Sequence, residues 1–290
     1  MNALIFNKKK FASLKKYILD KRILSSECEL YFFECINNKK VLKIFYIDEG
    51  LSFGNKLLTI NTLIDNKKHI NIEELVMPEK LVIVNSKVVG FSMPYISNIN
   101  LKLILDDPAI SIKVKIKYLK QVGKILERVQ KVKIENQRFH LGDVHESNFI
   151  VESKTDRIRV VDLDGSKIVN NKSPIIKYMA LNPDIENMPY KYPQDRDGSY
   201  IACSNTDILC YNFMILNTIS GKKINMCSAA EYYLYLNYLR SLNFDYELLD
   251  CFNNVYTAHN NIFPTDVLDL MPNDVFSACY SIFQEKVKLK

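Results

Sequence analysis

The sequence is poor in the residues that build disulfide scaffolds and zinc sites. Its seven cysteines include no CxxC pair, and its four histidines show no paired spacing of metal ligands. A disulfide framework and a zinc site are therefore excluded as the basis of the fold. The chain also lacks an apolar run of eighteen residues and an apolar segment of the signal-peptide type near its first residue. We expect a soluble, cytoplasmic protein with reduced thiols and no membrane insertion.

What the sequence does contain is a high apolar content on a long chain. With 290 residues, 48% of them hydrophobic, the protein can bury a large core, as one bilobal domain or two small ones. The net charge of +6 comes mainly from lysines that are scattered along the whole chain. We interpret these lysines as the compositional bias of an AT-rich bacterial genome, and we predict no nucleic-acid partner.

The residue pattern predicts an α+β protein in two parts, preceded by a basic extension. Residues 1–22 have the spacing of a weakly amphipathic helix, residues 23–96 are β-rich with one main helix, and residues 97–290 are mostly helical. Apolar runs predict four β-strands, at residues 30–36, 41–46, 80–84 and 87–91. Helical spacing covers residues 53–66, and a long apolar stripe covers residues 116–132.

One polar cluster in the second part is suited to chemistry. Asp143 and Asn148 lie five residues apart, and Asp162 follows fourteen residues after Asn148, at the end of a short β run. Three such groups in one cleft need a partner, and Mg²⁺ carrying a nucleotide's phosphates is a natural one. The remaining aspartate could accept a proton from an attacking hydroxyl. Each of the three could also be a plain turn or helix-cap residue, so the neighbouring motifs decide between these readings.

The order of the motifs over residues 24–221 resembles the protein-kinase-like superfamily. Lys43, in Val-Leu-Lys-Ile-Phe, stands where that family has the strand lysine that binds the α and β phosphates. The alternative is an edge-strand lysine that points to solvent. Asp143 resembles the catalytic-loop aspartate, and Asn148 and Asp162 resemble the two residues that hold magnesium.

Further segments resemble the family's hinge and the support of its catalytic loop. In Met-Pro-Tyr-Ile, the resemblance makes Met93 the gatekeeper, the Pro94 carbonyl the acceptor for the adenine amino group, and the Ile96 N–H a donor. A strand-ending proline is the alternative. Asp207 resembles the aspartate that begins a helix and binds the catalytic-loop backbone. The Tyr-Pro-Gln segment at residues 192–194 resembles the end of the activation segment.

The chain departs from the family's pattern at the phosphate lid and at the partner of the lysine. The loop before the first strand pair has no glycine, and the hydroxyls of Ser25 and Ser26 would take over part of its role in ATP binding. The family's helix glutamate that pairs with the strand lysine has no clear counterpart here, since the helix predicted over residues 53–66 offers Asn55 and Asn61, and Asp48 or Glu49 precede it. Asp164 is expected to be only a second, outer carboxylate at the metal.

The catalytic loop departs from the pattern as well. Leu141 and Gly142 replace His-Arg before Asp143, so we expect no control through a phosphorylated activation loop. His145 replaces the loop lysine, as in the aminoglycoside and choline phosphotransferases. It would either contact the γ-phosphate or stabilise the loop through a hydrogen bond.

The resemblance implies a bilobal ATP- and Mg²⁺-dependent phosphotransferase, with Asp143 and His145 as catalytic residues. The acceptor would be a hydroxyl group, with Ser/Thr of a protein as the first expectation. One alternative is a small-molecule kinase of the aminoglycoside or choline type, which a screen of acceptors would reveal. The other is a pseudokinase, a nucleotide-binding scaffold without turnover, which stabilisation by Mg-ATP and a turnover assay would distinguish.

Overall fold

The computed structural model describes residues 3–19, 28–35, 38–46, 51–168, 183–187, 190–196, 198, 200–257 and 262–288. Within these residues the protein has an α+β fold with a mixed β-sheet, as predicted. Long strands lie in the first hundred residues, and most of the helices follow them. In the described parts of the chain, no helix combines the length and apolar character needed to cross a bilayer.

A six-stranded sheet dominates the first part of the chain. Its strands are β1 Ala3–Phe6, β2 Lys15–Lys16, β3 Cys28–Cys35, β4 Asn38–Phe45, β5 Lys80–Val84 and β6 Lys87–Pro94. Their spatial order is β1-β5-β6-β4-β3-β2, and only β1 and β5 pair in parallel. Asn85 and Ser86 between β5 and β6 both have positive φ, as a type I′ hairpin turn requires. The four predicted strands are confirmed as β3 to β6.

The N-terminal segment belongs to this sheet, and the prediction of a helical extension over residues 1–22 is wrong. In the described part of that segment, only Lys8–Ala12 (α1) is helical, and it lies between β1 and β2. Because β1 and β2 occupy opposite edges of the sheet, the chain between them crosses one of its faces. Phe11 and Leu14 pack there against buried residues of the sheet, namely Phe6, Leu42, Val82 and Val89. The helical spacing was misleading because pairing at the sheet edges stabilises the backbone of β1 and β2, whereas a short isolated helix is only marginally stable in water.

The opposite face of the sheet is covered by helix α2, Leu51–Ile70, which confirms the helix predicted at residues 53–66. Ile60 of α2 is fully buried in a cluster with Phe45 and Phe91 of the sheet. Since side chains alternate between the two faces along a strand, Lys43 lies on the same face as Phe45. Lys43 therefore points towards α2 and the second part of the chain.

The second part of the chain is built around one helix, Ser204–Ser220, which is buried on almost every side. Among the described residues after position 100, the helices are α3 Leu101–Asp106, α4 Ile112–Val129, α5 Ser204–Ser220, α6 Ala229–Ser241, α7 Tyr246–Thr257 and α8 Tyr280–Lys288. Helix α4 confirms the predicted apolar stripe. In α5, Tyr211 and Phe213 are fully buried within the largest hydrophobic cluster. Such all-round burial makes α5 a rigid support for its neighbours.

Short strands in the second part of the chain position Asn148 and Asp162 of the predicted polar cluster. They are β7 Asn98–Asn100, β8 Lys133–Ile134, β9 Gln137–Arg138, β10 Phe149–Glu152 and β11 Ile158–Val160. β10 and β11 are antiparallel, with Phe149 opposite Val160. Asn148 immediately precedes β10, and Asp162 follows two residues after β11. The hairpin thus brings both side chains to one end of the strand pair, which explains their fourteen-residue spacing.

Candidate active site

The loop that carries Asp143 is held by a buried aspartate on helix α5. Leu141 and Gly142 donate their backbone N–H groups to the Asp207 carboxylate, at N–O distances of 3.1 and 3.0 Å. Gly142 has a φ of 78°, a left-handed conformation that favours glycine. Burial raises the pKa of the Asp207 carboxyl to about 7, against the lowering effect of the two N–H bonds. The backbone contact predicted for Asp207 is present.

Asp143 is contacted by two side chains of its own loop. Asn148 Nδ2 donates to the backbone carbonyl of Asp143 at 2.8 Å and lies 3.3 Å from its Oδ2. His145 Nε2 lies 3.2 Å from the same Oδ2, while His145 Nδ1 accepts from the Ser147 N–H at 3.2 Å. Because Nδ1 is an acceptor, the proton of the neutral imidazole is assigned to Nε2, which donates to Asp143. His145 therefore stabilises the loop and orients Asp143.

Asp162 lies next to Asn148, on a strained backbone. The Val161 N–H donates to the Asn148 carbonyl at 2.9 Å, so Asp162 directly follows a residue that is bound to Asn148. Asp162 has a φ of 65°, a left-handed conformation that costs a non-glycine residue about 1–2 kcal/mol. Its side chain is 43% exposed. The strained turn leaves the carboxylate of Asp162 accessible from solvent.

Lys43 reaches Asp162 from the six-stranded sheet. Its ammonium forms an ion pair with the Asp162 carboxylate, although the two residues are 119 positions apart. Lys43 is buried on strand β4, where it pairs with Phe91 of β6. A Cβ on Gly90 would lie 1.9 Å from the Lys43 carbonyl oxygen. Glycine at that position therefore allows β6 to approach β4 beside the lysine.

Asp164 is a second and deeper partner of Lys43. The Lys43 ammonium lies 2.6 Å from Asp164 Oδ1, and the ammonium of Lys56 on α2 lies 3.7 Å from Asp164 Oδ2. The Asp164 side chain is only 3% exposed, in contrast to Asp162. The expectation of Asp164 as an outer carboxylate is wrong, because burial between two lysines makes it the inner one. We call Lys43, Lys56, Asp162 and Asp164 the lysine–aspartate cluster.

Opposite charges allow this cluster to be buried. Burial acts to lower the pKa of Lys43, but attraction to Asp162 and Asp164 outweighs it and raises that pKa. Burial raises the pKa of Asp164 to about 6, with Lys43 acting in the opposite direction. Desolvation also opposes ionisation of Asp162, yet Lys43 holds the pKa of that carboxyl below its usual range. The pair formed by the buried Lys43 and the exposed Asp162 is therefore fully charged.

The residues at the open side of the cluster suit a hard cation. The amide nitrogen of Asn148 is engaged with Asp143, so its carbonyl Oδ1 is the atom it can offer to a metal. Asp162 adds an accessible carboxylate. Among the described residues, no three His, Cys, Asp or Glu side chains are grouped to hold a metal. Mg²⁺ commonly takes few protein ligands and completes its shell with water and phosphate, so this pair fits an ion that arrives with a nucleotide.

The predicted hinge continues from the strand beside Lys43. Met93 and Pro94 are the last residues of β6, and both pair with β4. Met93 lies two positions beyond Phe91, the residue opposite Lys43. Ile96 is half-buried in the connection to β7. These three residues therefore lie on the chain segment that leads from the sheet into the second part of the protein.

Other predicted segments differ in how far the structure describes them. Ser25 and Ser26, the predicted lid residues, lie outside the described residues. Near the predicted end of the activation segment, the Pro193 carbonyl accepts from the Ile201 N–H at 2.8 Å. Tyr192 is buried, with its ring edge-on to Tyr190 at a centroid distance of 4.8 Å.

Sequence reasoning missed three residues that support the site. Asn100 donates from Nδ2 to the Ser147 carbonyl at 2.8 Å and holds the loop from the side of β7. Gly90 and Lys56 were also missed, because neither belongs to a recognisable motif. The Asp-Leu-Asp pattern did signal two carboxylates for one lysine, but it does not show which of them lies deeper.

Comparison with known proteins yields no family. No protein-family model matches the chain, and no curated protein sequence matches it. The function is therefore inferred from the residues of this chain and their geometry.

Proposed function

We propose that the protein is an ATP- and Mg²⁺-dependent phosphotransferase of the protein-kinase-like type. It would transfer the γ-phosphoryl group to a hydroxyl acceptor, with Ser/Thr of a protein as the first candidate. The observation that carries this proposal is the ion pair between Lys43 and Asp162 beside the hydrogen-bonded Asp143 and Asn148. A cation for phosphates, two oxygen ligands for Mg²⁺ and a carboxylate that can take a proton are thus neighbours.

In this proposal, the sheet with α2 is one lobe and the helical part is the other, with ATP between them. Adenine would lie against the hinge, where the Pro94 carbonyl accepts from its amino group and the Ile96 N–H donates. Lys43 would bind the α and β phosphates. Asn148 Oδ1 and Asp162 would hold Mg²⁺, which neutralises phosphate charge.

Asp143 would accept the proton of the attacking hydroxyl. Its side chain is 28% exposed, so an acceptor can approach it. His145 Nε2 orients the carboxylate through the contact at 3.2 Å. Phosphoryl transfer needs little covalent help from the protein, so positioning and charge neutralisation would supply most of the acceleration.

The decisive test measures thermal stabilisation by Mg-ATP and then turnover. We expect a rise in melting temperature with Mg-ATP that is much smaller with ATP and EDTA or with Mg²⁺ alone. Phosphate transfer from labelled ATP to generic protein acceptors should follow. No stabilisation at millimolar Mg-ATP would contradict the proposal, and stabilisation without any transfer would favour a nucleotide-binding scaffold.

One observation favours a small-molecule acceptor as a second candidate. The loop carries a histidine at position 145 that contacts Asp143, and the sequence there resembles the aminoglycoside and choline phosphotransferases. A parallel screen with aminoglycosides, choline and sugars tests this candidate. Transfer to one of these compounds but to no protein would replace the first candidate acceptor and leave the phosphotransferase proposal standing.

A further inference from the structure

We propose that Asp164 is a positioning residue that holds Lys43 in place of a carboxylate from helix α2. This inference rests on the proposed function, because the purpose of holding Lys43 is to present its ammonium to phosphate. It assigns different roles to the two carboxylates of the cluster. Asp164 keeps its ion pair with Lys43, whereas Asp162 gives up its ion pair with Lys43 and binds the metal.

The unequal burial of the two carboxylates supports this division. Asp164 is 3% exposed and lies 2.6 Å from the Lys43 ammonium, whereas the side chain of Asp162 is 43% exposed. An arriving cation can reach Asp162 from solvent, but it cannot reach Asp164 without breaking the buried pair. Separating that pair would leave a charge buried without compensation, which is strongly unfavourable.

Helix α2 presents a lysine to the cluster, whereas its carboxylate residue, Asp65, is exposed. The ammonium of Lys56 lies 3.7 Å from Asp164 Oδ2, and the ammoniums of Lys56 and Lys43 each lie 5.4 Å from the centroid of the Phe45 ring. Lys56 therefore stabilises the charged form of Asp164 at Oδ2, while Lys43 contacts Oδ1. Asp164 can then hold a lysine while remaining balanced by a second cation.

Charge balance indicates what happens when a nucleotide binds. Two lysines and two aspartates compensate one another in the cluster. If Mg²⁺ takes Asp162, Lys43 loses its outer partner and gains a phosphate in exchange. Its contact with Asp164 is unaffected by that exchange, so the ammonium stays near its original position.

The first experiment compares turnover in Asp164→Asn with rescue from α2. Asp164→Asn should lower kcat on the order of 100-fold, the loss associated with a misplacement of about 1 Å, while stabilisation by Mg-ATP is retained. Adding Lys56→Glu to Asp164→Asn places a carboxylate on α2 near Lys43 and should recover at least about tenfold of the loss. Adding Lys68→Glu instead makes the same charge change at an exposed position of α2 and should recover nothing.

The second experiment needs no turnover and so separates this inference from the proposed function. Thermal unfolding of Lys43→Met, Asp164→Asn and the double variant measures the coupling of the two residues. We expect strong coupling both without ligand and with Mg-ATP. For Lys43→Met with Asp162→Asn, we expect coupling without ligand that is largely lost with Mg-ATP.

The outcomes distinguish the role of Asp164 from the proposed phosphotransferase function. Absence of Lys43–Asp164 coupling, or unchanged turnover in Asp164→Asn, would overturn the role of Asp164 even if the enzyme transfers phosphate. Equal rescue by Lys56→Glu and Lys68→Glu would also overturn it, since only net charge would then matter. Failure of the wild-type protein to bind Mg-ATP would overturn the proposed function, and the assigned division of labour with it, even if the ligand-free coupling is found.

Discussion

Two neighbouring parts of the candidate site are built in different ways. The backbone of the loop of residues 140–148 is held mainly by two side chains, the carboxylate of Asp207, which accepts hydrogen bonds from it, and the amide of Asn100, which donates one to it. The lysine–aspartate cluster is held by opposite charges that come from the sheet, α2 and the turn after β11. The loop is thus tied to the buried helix α5, whereas the cluster joins elements that are far apart in the chain.

The loop therefore provides a fixed geometry, whereas the lysine–aspartate cluster provides charges that can change partners. The hydrogen bonds from the loop backbone to Asp207 are buried, so no ligand from solution replaces them. Asp143 is therefore positioned before any ligand binds. In the Lys43–Asp162 pair the carboxylate is exposed. A cation can therefore bind Asp162, and an anionic ligand can replace Asp162 as the partner of Lys43. Changes in the loop should therefore affect chemistry or folding, and changes at Asp162 should affect binding of the metal-bound ligand.

The largest expected effect comes from Asp143→Asn. It removes the proton acceptor and keeps the size of the side chain, so kcat should fall by up to about 10⁴-fold. Stabilisation by Mg-ATP should remain, because Asn148 and Asp162 are untouched. Asp65→Asn, an exposed change on α2, serves as the matched control and should leave kcat unchanged. Normal turnover in Asp143→Asn would refute the proposed mechanism.

Asp207→Ala tests whether the loop depends on α5. The change leaves the buried N–H groups of Leu141 and Gly142 without their acceptor, which should lower the free energy of unfolding by about 4 kcal/mol. Denaturant unfolding measures the loss. Asp207→Asn keeps one carbonyl acceptor and should lose roughly half as much. A stability of Asp207→Ala close to that of the wild type would show that the loop is held by other contacts.

His140, at the start of the loop, predicts a specific pH dependence of stability. It is buried, its Nδ1 has no hydrogen-bond partner among the described residues, and burial, followed by Lys167 and Arg138, lowers its pKa from 6.5 to about 4. The unfolded chain takes up a proton on this residue near pH 6.5, before the folded protein does. Acidification through this range therefore favours unfolding, by about 3 kcal/mol in total from His140.

Unfolding measured between pH 7 and pH 4 tests this dependence. His140→Gln cannot titrate and should lose less stability over this range than the wild-type protein does. His69→Gln, a change at an exposed histidine, is the control and should follow the wild-type curve. If His140→Gln shows the wild-type slope, the imidazole is already protonated or solvated in the folded protein.

Asp162→Ala should give the smallest energy change, but it is the most informative about the cluster. The variant keeps the Lys43–Asp164 contact and loses a metal ligand. At a nucleotide concentration about one hundred times the dissociation constant, the protein would forfeit up to about 2.7 kcal/mol of ligand stabilisation. Calorimetry with and without Mg²⁺ measures this loss. Retention of the full Mg²⁺ dependence would assign the metal to other residues.

Much of the local structure could be predicted from the sequence, because it depends on neighbours in the chain. Apolar runs predicted the strands β5 and β6, and an apolar stripe predicted α4. The relation of Asn148 to Asp162 was also predictable, since a short hairpin between them returns the chain to the same end. The N-terminal segment was predicted wrongly, because its apolar spacing suits both a helix and a chain that crosses a sheet.

The partners of the functional side chains could not be predicted in the same way. Residue types and spacing singled out Asp143, Asn148 and Asp162 as candidates, and the resemblance of the motif order to the protein-kinase-like superfamily added Lys43 and Asp207. Which carboxylate lies deeper, and that Lys56 faces it, depends on how α2 packs against a turn more than a hundred positions later in the chain. Burial and long-range distance set the strength of a charge pair, and both arise only when distant elements pack together.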